Sequence, residues 1–153
     1  MQTKAIRFHA HGGPKNLHWE SVELTEPGPG EVTIRQHAVG LNYIDVYHRN
    51  GLYPVPALPC IPGLEGAGVI ESVASDVTDF NVGDRVAYAS PPLGAYAERR
   101  NIPASRLVHL PDTINYEQAA AMMLQGMTVE YLLRRTYPLQ AGQTVLLHAA
   151  AGG

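Results

Sequence analysis

The chain has 153 residues, 45 % of them apolar, and a formal net charge of −3. This length supports one ordinary domain with a real core, and the apolar share is too high for a disordered segment. No Lys/Arg run offers the electrostatic footprint of a nucleic-acid binder, and the single cysteine, Cys60, excludes an intrachain disulfide framework.

In chain order, Thr3 to His11 alternates Ile6, Phe8 and Ala10 with Arg7 and His9, which predicts a half-buried strand. The interleaved Lys4, Arg7, His9 and His11 leave no signal-peptide core, and no apolar run approaches the ~18 residues of a membrane span. A cytoplasmic protein without membrane contact is expected. Gly12-Gly13-Pro14 turns into a second strand carrying Leu17 and Trp19, with a bulge expected near Ser21 before Val22 and Leu24. Pro27-Gly28-Pro29-Gly30 leads to a third strand in which Val32, Ile34 and Ala38 share a face. Asn42 to Asn50 reads as a short helix or turn, and Gly51 to Pro62 as a proline-rich loop.

Further strand segments follow at Gly63 to Ser75, Arg85 to Tyr88, Ala95 to Ile102 and Arg106 to Leu110. Short strands at such regular spacing argue for a small barrel or sandwich. After Pro111 the pattern becomes helical. Asn115 with Gln118 resembles a capping box opening a helix through Leu124; Gly126 then interrupts, and Met127 to Thr136 forms a second helix. Val145 to Ala149 is a near-continuous apolar run of the kind buried on both faces of a parallel sheet, leading into Ala150-Ala151-Gly152-Gly153. Such a strand needs partners on both edges, so a second domain is expected to begin here, with Val129, Leu132, Leu133 and Val145 to His148 exposed in its absence.

Gly63-Leu64-Glu65-Gly66-Ala67-Gly68 with Val82-Gly83-Asp84-Arg85-Val86 resembles the catalytic core of the medium-chain dehydrogenases/reductases. His148 to Gly153 is similar to the opening of their nucleotide-binding turn. Asn42-Tyr43-Ile44-Asp45 and Arg49-Asn50-Gly51-Leu52-Tyr53-Pro54 resemble the quinone oxidoreductase (zeta-crystallin-like) branch. The resemblance implies a mainly β fold with some α. Residues 1–124 would form a GroES-like, partly open β-barrel catalytic domain. Residues 125–153 would start a Rossmann domain, cut at the glycine turn.

It further implies NADPH-dependent reduction of quinones by hydride transfer in a full-length homodimer, the 153-residue chain alone being inactive. Reduction of enones or alkenals in the same flat cleft, and a non-catalytic GroES-like binding fragment, stand as alternatives. Zinc-dependent relatives carry ligands where this chain has Asn42, Leu64 and Leu124, which cannot supply the thiolates and imidazole of a tetrahedral site. A zinc-free site is therefore expected.

By the same resemblance Asn42, Asp45, Tyr47 and Tyr53 line the acceptor cleft, the tyrosines offering flat apolar faces with hydroxyl tips. Asn42, Gln125 and Thr128 contact the nicotinamide side, and Ala151, Gly152 and Gly153 begin the phosphate cradle. Taken residue by residue, other readings stay open. Asn42 equally satisfies a turn, Asp45 caps a helix, Tyr47 and Tyr53 are ordinary half-buried rings, and Gln125 is solvent-exposed. Thr128 gains weight from Gly126, which permits close approach. Glu65, if buried, needs a partner, for which Arg85 is the candidate, and Glu130 is expected on a solvated helix face.

Overall fold

The computed structural model describes residues 1–148. Strands β1 (Gln2–Arg7) and β2 (His18–Glu23) pair antiparallel as a separate two-stranded sheet. Next come β3 (Glu31–Val39), helix α1 (Tyr43–Asn50), β4 (Glu65–Val73), β5 (Arg85–Ala89), β6 (Arg99–Pro103), β7 (Val108–His109) and helix α2 (Tyr116–Glu130). The larger sheet is five-stranded and antiparallel, in the order β6-β3-β4-β5-β7. Short bridges from Ala5 to Ala97 and from Phe8 to Cys60 tie the small sheet to it. The result is a mainly β, partly open barrel, as expected.

Alternation along β5 shows how the sheet divides its two faces. Val86 and Tyr88 join Val32, Ile34, Ile70 and Ile102 in one core, while Ala87 joins Ala67, Leu110, Ala119 and Ala120 in another, beneath α2. Small side chains on the second face let the helix lie close. Gly68 serves the pairing itself: a Cβ there would stand 2.2 Å from the Arg35 carbonyl oxygen.

Two bulges shape the β3–β4 pair. Thr33 faces Ser72 and Ile34 faces Ile70, so Glu71 is the extra residue on β4, and it gathers Arg35 (2.8 Å) and Arg99 (2.7 Å). Gln36 faces Gly68 and Ala38 faces Ala67, so His37 is extra on β3. Because Gly68 and Ala67 are chain neighbours, Gln36 and Ala38 now point to opposite faces. Ala38 therefore leaves the Val32–Ile34 face predicted for it and packs under α2.

Three sequence expectations are corrected. No bulge occurs near Ser21: pairing runs unbroken from Gln2↔Glu23 to Arg7↔His18. No residue of β2 is fully buried and Trp19 is 57 % exposed, so no core enforces its alternation. Gly126 does not interrupt the helix, which passes through it to Glu130 and continues as a π-helical turn, Tyr131–Thr136. One interior glycine costs only about 1 kcal/mol, which the surrounding helix formers absorb. Val145 to Leu147 form no strand, because none of the described residues supplies a ladder beside them, and they are exposed as expected. The capping box at Asn115 and Gln118 forms, with reciprocal bonds of 2.7 and 3.1 Å. Among the described residues no helix is long and apolar enough to cross a membrane.

Candidate active site

The barrel turns from β3 into α1 at Gly40, where a Cβ would stand 2.2 Å from a Glu65 carboxyl oxygen and 2.4 Å from the Ala120 carbonyl. Only glycine lets the β3 end, β4 and α2 converge there. Asn42 and Asp45, both buried, follow at the start of α1. Asp45 Oδ2 accepts the Asn42 backbone N–H (3.0 Å) and the Tyr96 hydroxyl (2.9 Å). The capping role left open for Asp45 is thus real, and it leaves Asp45 Oδ1 buried without a partner. Burial first, then the Asp45 charge and its hydrogen bond, hold the Tyr96 phenol well above the ordinary tyrosine range.

The Asn42 amide donates through Nδ2 to Glu65 Oε2 at 2.7 Å, and its Oδ1 accepts Gln125 Nε2 at 3.3 Å. The other Glu65 oxygen accepts the Leu124 backbone N–H at 2.8 Å. Glu65 is 1 % exposed, so its carboxyl group is satisfied entirely inside the protein. The partner foreseen for it, Arg85, is instead held on α2's approach by the Tyr116 hydroxyl, the Pro111 and Ile114 carbonyls and Asp112. Arg85 sits four residues before Glu65's pairing partner Ala89, too far along the strand to reach it.

Of the residues singled out from sequence, the structure brings Asn42, Asp45 and Gln125 together. Tyr47 and Tyr53 meet each other, with ring centroids 5.2 Å apart and the Tyr53 N–H bonded to the Tyr47 carbonyl at 3.1 Å. Tyr43 stands edge-on to Tyr47, also at 5.2 Å. Thr128 is exposed, its hydroxyl donating to the Leu124 carbonyl one turn back at 2.8 Å. Glu130 pairs with Arg135 on a solvated face, as expected. Ala151, Gly152 and Gly153 lie outside the described residues.

Two clefts border this junction. One of about 230 Å³ is lined by Leu17, Leu41, Asn42, Asp45, Val46 and Tyr96 among others. The other, of about 280 Å³, runs past Gly40, Glu65, Ala120 and Gln125. Tyr47 and Tyr53 line neither, whereas Asn42, Asp45, Val46 and Arg49 recur at helical spacing on the side of α1 that faces the first cleft.

A family model for the alcohol dehydrogenase GroES-like domain matches residues 28–112. The chain belongs to that family. The GroES-like chain is 58 % identical over 150 residues to a quinone oxidoreductase of Pseudomonas aeruginosa, covering 98 % of itself and 46 % of that relative. It is 46 % identical over 155 residues to a 2-haloacrylate reductase of a Burkholderia species, covering 97 % and 46 %. Among solved structures it is similar to Escherichia coli quinone oxidoreductase complexed with NADPH, with a TM-score of 0.87, 45 % identity, and 90 % and 42 % of the two chains covered. The chain thus spans about half the length of these relatives.

Sequence reasoning missed two members of the GroES-like site. Tyr96 lies far along the chain and only the fold brings it to Asp45. Tyr43 carried a signal, since it precedes Tyr47 by one helical turn. Among the described residues no three His, Cys, Asp or Glu side chains cluster as metal ligands would.

Proposed function

We propose that the full-length protein is an oxidoreductase that reduces quinones with NADPH and needs no zinc. The observation that carries the reading is the amide pair of buried Asn42 and half-buried Gln125, whose remaining acceptor atom, Gln125 Oε1, is buried and has no partner. A buried acceptor without a donor costs free energy that a bound donor restores. A nicotinamide carboxamide offers such a donor, so the residues present fit that group. Two of the positions that hold metal in zinc-dependent relatives are spent otherwise: Asn42 donates its amide to Glu65, and Leu64 is buried and apolar.

When bound, the nicotinamide supplies a hydride, which with one proton converts a quinone to its hydroquinone. This chain's own part is to place the acceptor. Asn42, fixed between Glu65 and Gln125, holds the nicotinamide side, and Thr128 stands one turn of α2 beyond Leu124 as a further hydroxyl contact. Tyr47 and Tyr53 lie outside the two clefts but adjoin the first through Tyr43, and their rings would offer flat faces to a planar acceptor and hydroxyls for charge developing on its oxygen. Ala151, Gly152 and Gly153 would begin the phosphate cradle, residues 125–153 the nucleotide domain, and the whole would act as a homodimer in the cytoplasm. A second reading, reduction of conjugated alkenes, draws support from the likeness to a 2-haloacrylate reductase.

The test is NADPH oxidation by the full-length protein with a benzoquinone and with a conjugated enal. Turnover with the quinone is expected, and Asn42→Ala should lower kcat/KM on the order of a hundredfold, the usual cost of losing a preorganised polar contact. Turnover with the enal alone favours the second reading, and no NADPH oxidation with either acceptor rejects both.

A further inference from the structure

We infer that Glu65 is a positioning residue that sets the hydrogen-bond polarity of the site, because its buried carboxyl group fixes the direction of an amide relay running from β4 through Asn42 to Gln125. The inference rests on the reading that Gln125 faces the nicotinamide nucleotide.

Each link follows from the one before. Glu65 Oε1 is committed to the Leu124 N–H (2.8 Å) and Oε2 faces Asn42 (2.7 Å). A carboxylate oxygen only accepts, so Asn42 must present its NH₂ group there. That leaves Asn42 Oδ1 toward Gln125, which must in turn donate through Nε2. The relay therefore ends in Gln125 Oε1, an acceptor that is buried and unpartnered. Asn42 and Gln125 alone, being amides, fit either direction. The choice comes from Glu65, which at 1 % exposure has no solvent to relax it.

The consequence is selectivity. The wild-type relay asks its ligand for an N–H or O–H donor and rejects a group that offers only an acceptor, since two acceptors would then face each other in a buried place. In Glu65→Gln the side chain keeps its size. Its oxygen can still accept from Leu124 while its NH₂ group donates to Asn42 Oδ1. Asn42 then donates to Gln125 Oε1, and the relay ends in a donor.

The experiment is calorimetric titration of the full-length wild type and Glu65→Gln with NADPH and with its 3-acetylpyridine analogue, which keeps the carbonyl but lacks the amide N–H. Wild type should bind NADPH about tenfold more tightly than the analogue, and Glu65→Gln should narrow that preference to about twofold or reverse it. A wild type that does not distinguish the two ligands overturns the placement of Gln125 against the nucleotide. A wild type that distinguishes them and a variant that does so equally overturn the role of Glu65 alone. Should Glu65→Gln fail to fold, selective ¹⁵N-asparagine labelling of the wild type decides. The Asn42 side-chain amide protons are expected to exchange with solvent at least about tenfold more slowly than those of the exposed Asn50, and equal rates overturn the inference.

Discussion

Ile34, Ile70 and Tyr88 have at most 1 % of their surface exposed, whereas Leu146 and Leu147, no less apolar, are 81 % and 71 % exposed. The first group sits on interior strands of the five-stranded sheet, each with a neighbour on either side, and the second on a segment that pairs with no strand among the described residues. Apolar character alone does not place a side chain; the backbone must first find hydrogen-bonding partners, and burial follows. The contrast also locates the site. The sheet and the α2 arm meet where Glu65 reaches out of β4 to accept the Leu124 N–H.

The largest test of this contrast sets Ile34→Ala against Leu146→Ala in denaturant unfolding. Ile34→Ala should cost about 3 kcal/mol through lost burial and the cavity it leaves. Leu146→Ala should stay within about 0.5 kcal/mol. Equal losses would break the comparison. Gly68→Ala comes next, at about 2 kcal/mol, because its new Cβ would press on the Arg35 carbonyl within the β3–β4 ladder. Unchanged stability there would mean the bulged pairing is looser than described.

Glu71→Ala should cost less, about 0.5 kcal/mol, since the arginines it gathers are partly solvated, and added salt should shrink the difference further. The smallest effect is one of slope. Tyr96 holds its proton more tightly folded than unfolded, so its contribution is complete below about pH 10 and is lost as pH rises from there through the raised native value. Tyr96→Phe should flatten that alkaline limb in a stability-versus-pH series; an unaltered slope would remove Tyr96 from the account.

Much of the barrel was legible because its strands carry period-two patterning between glycine and proline turns, and Asn115 with Gln118 marked the start of α2. What escaped reading was register. The extra residues Glu71 and His37 flip faces midway along β4 and β3, and no local pattern announces them. In the site, Asn42, Asp45 and Gln125 were picked out and do meet. Glu65 was read as needing a partner, but that partner was a side-chain amide and a helix N–H rather than Arg85, a contact that only the approach of α2 creates. Tyr96 was invisible for the same reason.

The seam at Glu65 is tested most directly by residue-resolved amide hydrogen exchange of the 153-residue chain, wild type beside Glu65→Ala, which leaves Leu124 no side-chain acceptor. Slow exchange is expected at Ile34, Ile70 and Val86, fast exchange from Tyr131 to Leu147, and a protected Leu124 amide whose protection falls at least about tenfold in the variant. A Leu124 amide that exchanges as fast as that of Leu132, or one indifferent to the loss of the Glu65 carboxyl group, would contradict the account.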